Sequence, residues 1–412
     1  MRRRLSTLAF AAVCAALAGC GGGGPTLITG GGPSDKGVSA SSPRAVQELG
    51  FPALATKNTT RVPGADPTAD AAGVALAVYP SEGAGTHPPA VVIAPTDDWQ
   101  ASIAASVLMA PPIRAPLLLS GHGSLPSATS AALKVLAPTG SGAIDGAQVI
   151  DVGDVPKPSG ERAATVSGSD PYAAAAAIDR FITAAAGKPS PNVIIASGDN
   201  AGAAYAMPAA GYAAESGTPV LFVTSSGIPQ ATKQALLAHQ NPHIYVLGPA
   251  SVISNGVLTQ LGRYGTVRRI GVVGAPANSV AFALYRDPAC PVDQPCAHIP
   301  GSFGWALRGP GHGYVLLNDH QPLDAAASAA LSSSGDYGPQ LVIDDPSTLP
   351  SAVLNYFLNY ATPGYNQEGP TAAVYNHGWV IGDPSVISLG VQAEMDARLE
   401  VEPQTGTATG GG

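Results

Sequence analysis

The sequence is short of charge. Asp, Glu, Lys and Arg make up 12% of its 412 residues, about half the share of an ordinary soluble domain. Highly charged disorder is excluded by 45% hydrophobic residues and a mean hydropathy of +0.17, which supply ample material for a core. Basic residues are scarcer than acidic ones, 20 against 28. The only tight basic cluster is Arg263, Arg268 and Arg269, too little for the basic stripe of a nucleic-acid surface. Catalytic signatures are also missing. No serine sits in a Gly-x-Ser-x-Gly elbow, and there is no His-Glu-x-x-His pair. Gly187-Lys188 runs into Pro189 instead of a phosphate-loop hydroxyl, and Gly121-His122-Gly123 runs into Pro126 without completing a dinucleotide fingerprint. His122, His312, His320 and His377 lack the spacing of a metal pair on one face. These gaps point away from an enzyme and imply no cofactor or metal.

What is present begins at the amino terminus. Arg2-Arg3-Arg4 precedes an apolar run from Leu5 to Leu17, too short to span a bilayer and suited to a signal peptide over residues 1–19. Leu17-Ala18-Gly19-Cys20 resembles the lipobox of bacterial lipoproteins, which implies acylation of Cys20 and a lipid tether at the outer face of the cytoplasmic membrane. Cleavage there leaves 17 basic against 28 acidic side chains, a formal charge of −11. Of four cysteines, Cys14 lies in the leader and Cys20 at its end. The remaining two, Cys290 and Cys296, are expected to close a small loop as a disulfide outside the cytoplasm. Residues 20–54, rich in Gly, Ser and Pro, read as a flexible stalk, and residues 402–412 as a disordered tail.

Gly and Pro number 50 and 39, a content that approaches low complexity, but they recur in order. Ala115-Pro116-Leu117-Leu118-Leu119 returns as Thr218-Pro219-Val220-Leu221-Phe222 and as Gly338-Pro339-Gln340-Leu341-Val342. Leu125-Pro126, Ile228-Pro229 and Leu349-Pro350 follow each phrase. Upstream lie Val91–Ala94, Val193–Ala196 and Tyr314–Leu317, apolar runs that read as buried strands. Ala-rich stretches such as Ala203–Ala210 between strand and phrase suit helices packed closely on a sheet. Stretches such as Ser127–Leu136 and Gln230–His239 read as second helices, with Pro near their start. Third strands are expected at Gln148–Val152, at His243–Leu247, and at Ala373–Tyr375 or Trp379–Ile381. Strand–helix–strand order implies parallel pairing. The expectation is an α/β protein of three modules with parallel, flavodoxin-like sheets flanked by helices. Their bounds are 55–157, 158–265 and 266–401, the last with an insertion carrying the two cysteines.

This wording resembles the cell wall binding repeat type 2 family. The fullest match runs from Gly168-Ser169-Asp170-Pro171-Tyr172 through Ile195–Asn200 and Thr218-Pro219-Val220-Leu221 to Tyr245–Ser254. Val380–Ser388 echoes the ending, and Asp324-Ala325 keeps the family's helix-start dipeptide. The resemblance spans about residues 55–400. It implies three modules about a pseudo-threefold axis, bound without covalent linkage to an anionic wall polymer. The sequence departs from the pattern where Pro171 replaces an Arg and where Ala101 and Ala203 replace the helix-start Asp.

Candidate ligand contacts gather beyond the strand ends, where open parallel sheets bind ligands. They are Asp97, Asp98 and Trp99; Asp199 and Asn200; Asp319 and His320, with Asp324 just beyond. A second set follows the Pro phrases, including His122, Ser225 and Asp344. Asp and Asn in these places also serve as helix caps, and Gly and Ser as turn formers. Trp99 has the chemistry to stack on a sugar ring. The function expected is non-enzymatic attachment or scaffolding, with peptidoglycan or its glycopolymer as partner, contact with the membrane through lipid alone, and no nucleic acid. The alternatives are a solute-binding lipoprotein and, behind it, an envelope hydrolase.

Overall fold

The computed structural model describes residues 54–403, apart from 84, 289, 291–300, 336, 366–368 and 370–372. Cys20, Cys296, the leader and most of the stalk and tail fall outside them. All described residues belong to one compact unit, Val38–Gly412.

Strands β1 (Leu54–Ala55) and β2 (Thr59–Val62) lead into the helix Pro67–Val78. There follow β3 (Val91–Pro95), β4 (Leu117–Ser120), β5 (Val149–Val152) and β6 (Ala163–Val166), then the helix Pro171–Ala186. Next come β7 (Asn192–Ser197), β8 (Val220–Val223), β9 (His243–Val246) and β10 (Thr266–Arg269), then the helix Ala275–Leu284. The rest are β11 (Gly313–Asn318), β12 (Gln340–Ile343), β13 (Gly364–Tyr365), β14 (His377–Ile381) and β15 (Glu402–Pro403).

Three sheets share one order. The first is β4-β3-β5-β6, the second β8-β7-β9-β10, and the third β12-β11-β14-β2, with β1 added antiparallel outside β2. All other pairs in them are parallel. The fourth strand of each sheet leads into the helix that opens the next one. In the third sheet that role falls to β2, from the start of the described chain, with Arg61 opposite Val380 and Val62 opposite Ile381. The chain is therefore closed on itself by a strand ladder.

Local chemistry explains the elements. β3, β7 and β11 are buried along their whole length, as expected of parallel strands covered on both faces. Asp66 and Asp170 cap the long helices through the N–H groups of Thr68 and Ala69 and of Ala173, each with Pro in the first helical position. Thr129 and Thr232 donate hydroxyls to Leu119 O and Phe222 O at 2.5 and 2.6 Å, fixing the second helix of two sheets to the preceding strand. Val353 stands in that place in the third. After β5, β9 and β14 the chain turns through Gly153, Gly248 and Gly382, with φ of +74°, +107° and +93°, which glycine adopts without steric cost.

At the centre, Ala-rich segments from all three sheets pack together: Trp99–Met109, Ala203–Ser216 and Pro322–Ser333. The Ala203–Ala210 stretch is two helices, Ala203–Ala206 and Pro208–Ser216, because Pro208 opens a new first turn. Small side chains allow close approach; a Cβ at Gly211 would lie 2.5 Å from Ser332 Oγ. The third strand of the last sheet is His377–Ile381, which contains Trp379–Ile381, the second of the two places expected, while Ala373–Tyr375 forms no strand. One detail differs from the sequence reading. Glu402 and Pro403, assigned to the tail, pair in parallel with Gly364 and Tyr365.

Candidate functional site

The polar residues beyond the strand ends form three local groups. In the first sheet, His122 Nε2 lies 2.8 Å from Asp97 Oδ2 and Nδ1 lies 2.7 Å from Asp154 O. These contacts hold its pKa above the usual imidazole value, the Asp97 hydrogen bond contributing most. Asp98 accepts from Ala101 N at 2.8 Å and caps the helix Trp99–Ala105. Trp99 is half-buried, its ring edge-on to Phe222 of β8 at 5.7 Å, so most of its indole joins two sheets together. Gln100 adds a bond from Nε2 to Gly198 O at 2.8 Å across the same boundary.

In the second sheet, Asp199 Oδ2 accepts from Ser225 N at 2.7 Å, tying one turn to the other, while Asn200 is exposed. In the third, Asp319 Oδ1 lies 3.5 Å from His320 Nδ1, and burial raises the Asp319 pKa. Asp344 is exposed. Asp324 is enclosed, 1% exposed, inside the helix Pro322–Ser328. Cys290 is buried, at 3% exposure, and the expected partner Cys296 lies outside the described residues. The Gln100 bond links the first group to the second, and among the described residues no three His, Cys, Asp or Glu side chains are placed to hold a metal. Asp98 and Asp199 thus make local cap and turn bonds within their own groups.

Convergence occurs at the opposite ends of the sheets, where the strands begin. A hollow of about 310 Å³ is lined by Val78 and Tyr79 after the first long helix, Met109–Pro116 before β4, Ala214 and Glu215 before β8, and Ala330–Ser334 before β12. A second hollow of about 340 Å³ shares Val78 and Ser334 with it and extends to His377 and Trp379 of β14. Segments leading to or from each of the three sheets therefore meet in one place. Arg114 is exposed and left-handed, with φ +57°, a conformation costing a non-glycine residue about 1–2 kcal/mol. It is held there because Arg114 N donates to Ala110 O at 3.0 Å and Arg114 O accepts the Tyr79 hydroxyl at 3.1 Å. His377 Nε2 lies 3.0 Å from Thr60 Oγ1, and its ring meets Trp379 edge-on at 5.0 Å, which sets the indole's orientation. Burial raises the Tyr79 pKa against a smaller opposing pull from Arg114, so the phenol stays a hydrogen-bond donor at neutral pH.

The sequence reading missed these residues. Tyr79, Arg114, Glu215 and Trp379 are far apart in sequence, and none lies at the C-terminal end of a strand. The one available signal was His377-Gly378-Trp379, aromatic side chains on one face of a strand paired on both sides.

Comparison with known proteins agrees with the fold. No curated protein matches the chain. Among solved structures it is similar to Cwp8 from Clostridium difficile, at 17% identity and a TM-score of 0.61 over 84% of this chain and 52% of that one. It is also similar to Cwp6 from Clostridium difficile, at 15% identity and a TM-score of 0.62 over 83% of this chain and 48% of that one. The chain thus spans about half the length of each. Residues 165–258, from the end of β6 into the helix Asn255–Leu261, match Cell wall binding domain 2 (CWB2). The central part of the chain is thus similar to the CWB2 cell wall binding domain, and the solved structures share its α/β fold with parallel sheets between helices.

Proposed function

We propose that this protein attaches to the cell envelope by holding a wall polymer, peptidoglycan or its glycopolymer, in the double hollow at the strand starts, and that it performs no chemistry there. The observation carrying this reading is the convergence of segments from all three sheets on a cleft with an indole, a phenol, hydroxyls and one charge of each sign. The CWB2 match over residues 165–258 supports a wall polymer as the ligand. Glu215 is the single carboxylate among the described residues lining either hollow, whereas glycoside hydrolysis ordinarily uses two. At the strand ends Asp97 and Asp199 are engaged by His122 and by Ser225 N within their own sheets.

Three further parts belong to the same proposal. The three sheets are copies of one module about a pseudo-threefold axis, with bounds near those expected from the sequence and the first strand exchanged into the last sheet. Cys20 is the lipid attachment point, consistent with a described chain in which no helix is long and apolar enough to cross a membrane. Cys290 and Cys296 form a disulfide. The decisive experiment is co-sedimentation of the chain with purified cell walls across a salt series. Retention in the pellet, reduced by Trp379→Ala, is expected; absence from the pellet at every ionic strength would overturn the proposal.

A further inference from the structure

We infer that the double hollow selects an uncharged sugar segment and not a polyanion, an inference that rests on the binding site proposed above. Its described lining offers one guanidinium, Arg114, and one carboxylate, Glu215. No other charged side chain lines either hollow among the described residues, His377 aside. A polyanion site needs a surplus of cations, because each phosphate or carboxylate brought in must be neutralised. Here the charges balance, and the chain around them carries 28 acids against 20 bases, which repels a polyanion at long range.

The remaining chemistry fits a neutral pyranose. Trp379 is half-buried on β14 and continues into the apolar floor of Leu331 and Val78. An indole of this kind covers the C–H face of a sugar ring. Ser333 and Ser334 line the rim with hydroxyls, which donate and accept. Arg114 and Glu215 supply planar, bidentate partners for ring hydroxyls or an acetamido group. Arg114 is presented by its left-handed backbone and the Tyr79 bond to its carbonyl, so its placement is set before ligand arrives.

Two sources carry such sugars: the glycan strand of peptidoglycan, and uncharged stretches of a wall glycopolymer. The probe is a soluble N-acetylglucosamine oligomer, titrated into the full chain while tryptophan fluorescence is followed. Of the three tryptophans, Trp305 is fully buried and Trp99 is edge-packed on Phe222, so Trp379→Phe isolates the signal. The expected result is a saturable change that Trp379→Phe removes. Affinity should vary less than about twofold up to about 0.5 M salt, where surface electrostatics is screened, and fall about tenfold or more in Trp379→Ala. Arg114→Lys keeps the charge and loses the fork, and should weaken the oligomer. Parallel pull-downs with peptidoglycan stripped of glycopolymer, and with isolated glycopolymer, separate the two sources. Binding confined to an anionic polymer with steep salt dependence, or oligomer affinity unchanged in Trp379→Ala, overturns the inference. Wall sedimentation without oligomer binding refutes this inference and leaves the attachment reading standing; loss of both refutes both.

Discussion

Replacing Asp324 with Asn tests how the chain's beginning and end are held together. Asp324 lies on the helix Pro322–Ser328, packed against the helix Pro67–Val78 that carries Asp70, and each carboxylate is 1% exposed. Asp70 Oδ1 accepts from Gly64 N at 2.8 Å, whereas one Asp324 oxygen, Oδ1, is buried with no hydrogen-bond partner. Burial, with a smaller push from Asp66, raises Asp324 from 3.8 to about 7. Burial and then the Asp324 charge drive Asp70 well upward, against the Gly64 and Gly382 N–H groups. Arg61 is the nearest cation, and burial lowers it to about 10, partly offset by Asp383 and Asp70. Its guanidinium is occupied by Gln392 Oε1 at 2.9 Å and Gly382 O at 2.7 Å, so it leaves the acid pair poorly compensated.

The sign follows from linkage. A carboxyl whose folded pKa is raised favours folding when protonated, so its contribution is complete below its unfolded value and lost as pH rises through the folded one. From 3.8 to about 7 is about three pH units, or on the order of 4 kcal/mol between acid and alkali. Urea unfolding across the range from about pH 4 to about pH 9 should show the parent losing stability, most steeply between the unfolded and folded values and levelling off above neutrality. Asp324→Asn, which cannot ionise, should flatten that loss and be more stable than the parent above pH 7. Parallel pH profiles for parent and variant would refute the reasoning.

His239 and Asp179 form a buried pair, Nε2 to Oδ2 at 2.9 Å, with Nδ1 2.7 Å from Ser190 O. Burial works to lower the His239 pKa, but Asp179 and Ser190 outweigh it and the net shift is upward. His239→Ala should cost about 3–5 kcal/mol at pH 6 and less above the folded pKa, where this contribution disappears, as measured by urea unfolding at both values. Gly211→Val sets a Cβ 2.5 Å from Ser332 Oγ at the junction of the three sheets and should lower stability by about 1–3 kcal/mol, read as a fall in Tm. Arg61→Met removes the buried guanidinium bonded to Gln392, Gly382 and Ser388. It should increase hydrogen exchange in β2 and β14 while leaving β7 and β8 protected. Non-reducing peptide mapping should recover Cys290 and Cys296 in one linked peptide, lost on reduction.

The central strands were legible because burial on both faces writes a continuous apolar run: Val91–Ala94, Val193–Ala196 and Tyr314–Leu317 each fall in the strand expected. The helix Ser127–Leu136 was legible from Leu125-Pro126, since Pro tolerates a helix start and little else in a helix. The joining strands were not. β6 is exposed at Ala163 and Thr165 and β10 carries Arg268 and Arg269, so neither displays an apolar run. β2 is fully buried, yet its threonines and arginine carry no hydrophobic signature, because its polar atoms are satisfied by residues more than 300 positions away. Asn58 N and Nδ2 bond to Asp396, and Gln392 Nε2 reaches Thr59 Oγ1 at 3.1 Å.

The same physics explains why the proposed cleft escaped the sequence. Residues that cap helices and close turns at strand ends advertise themselves locally, since Asp98 and Ser254 must stand three residues before the N–H they accept from. The proposed cleft, lined by segments from three sheets, has no such local rule. Arg114 enters it through a left-handed backbone between Pro112 and Pro116, and Trp379 through alternation on a strand whose partner β2 begins the described chain. Closing the ring with β2 is what places Thr60 against His377 and so fixes the indole beside it. If the hollow holds the polymer as proposed, strand closure and ligand recognition are coupled, and loosening β2 with Arg61→Met should weaken oligomer binding at Trp379 even though Arg61 lines neither hollow.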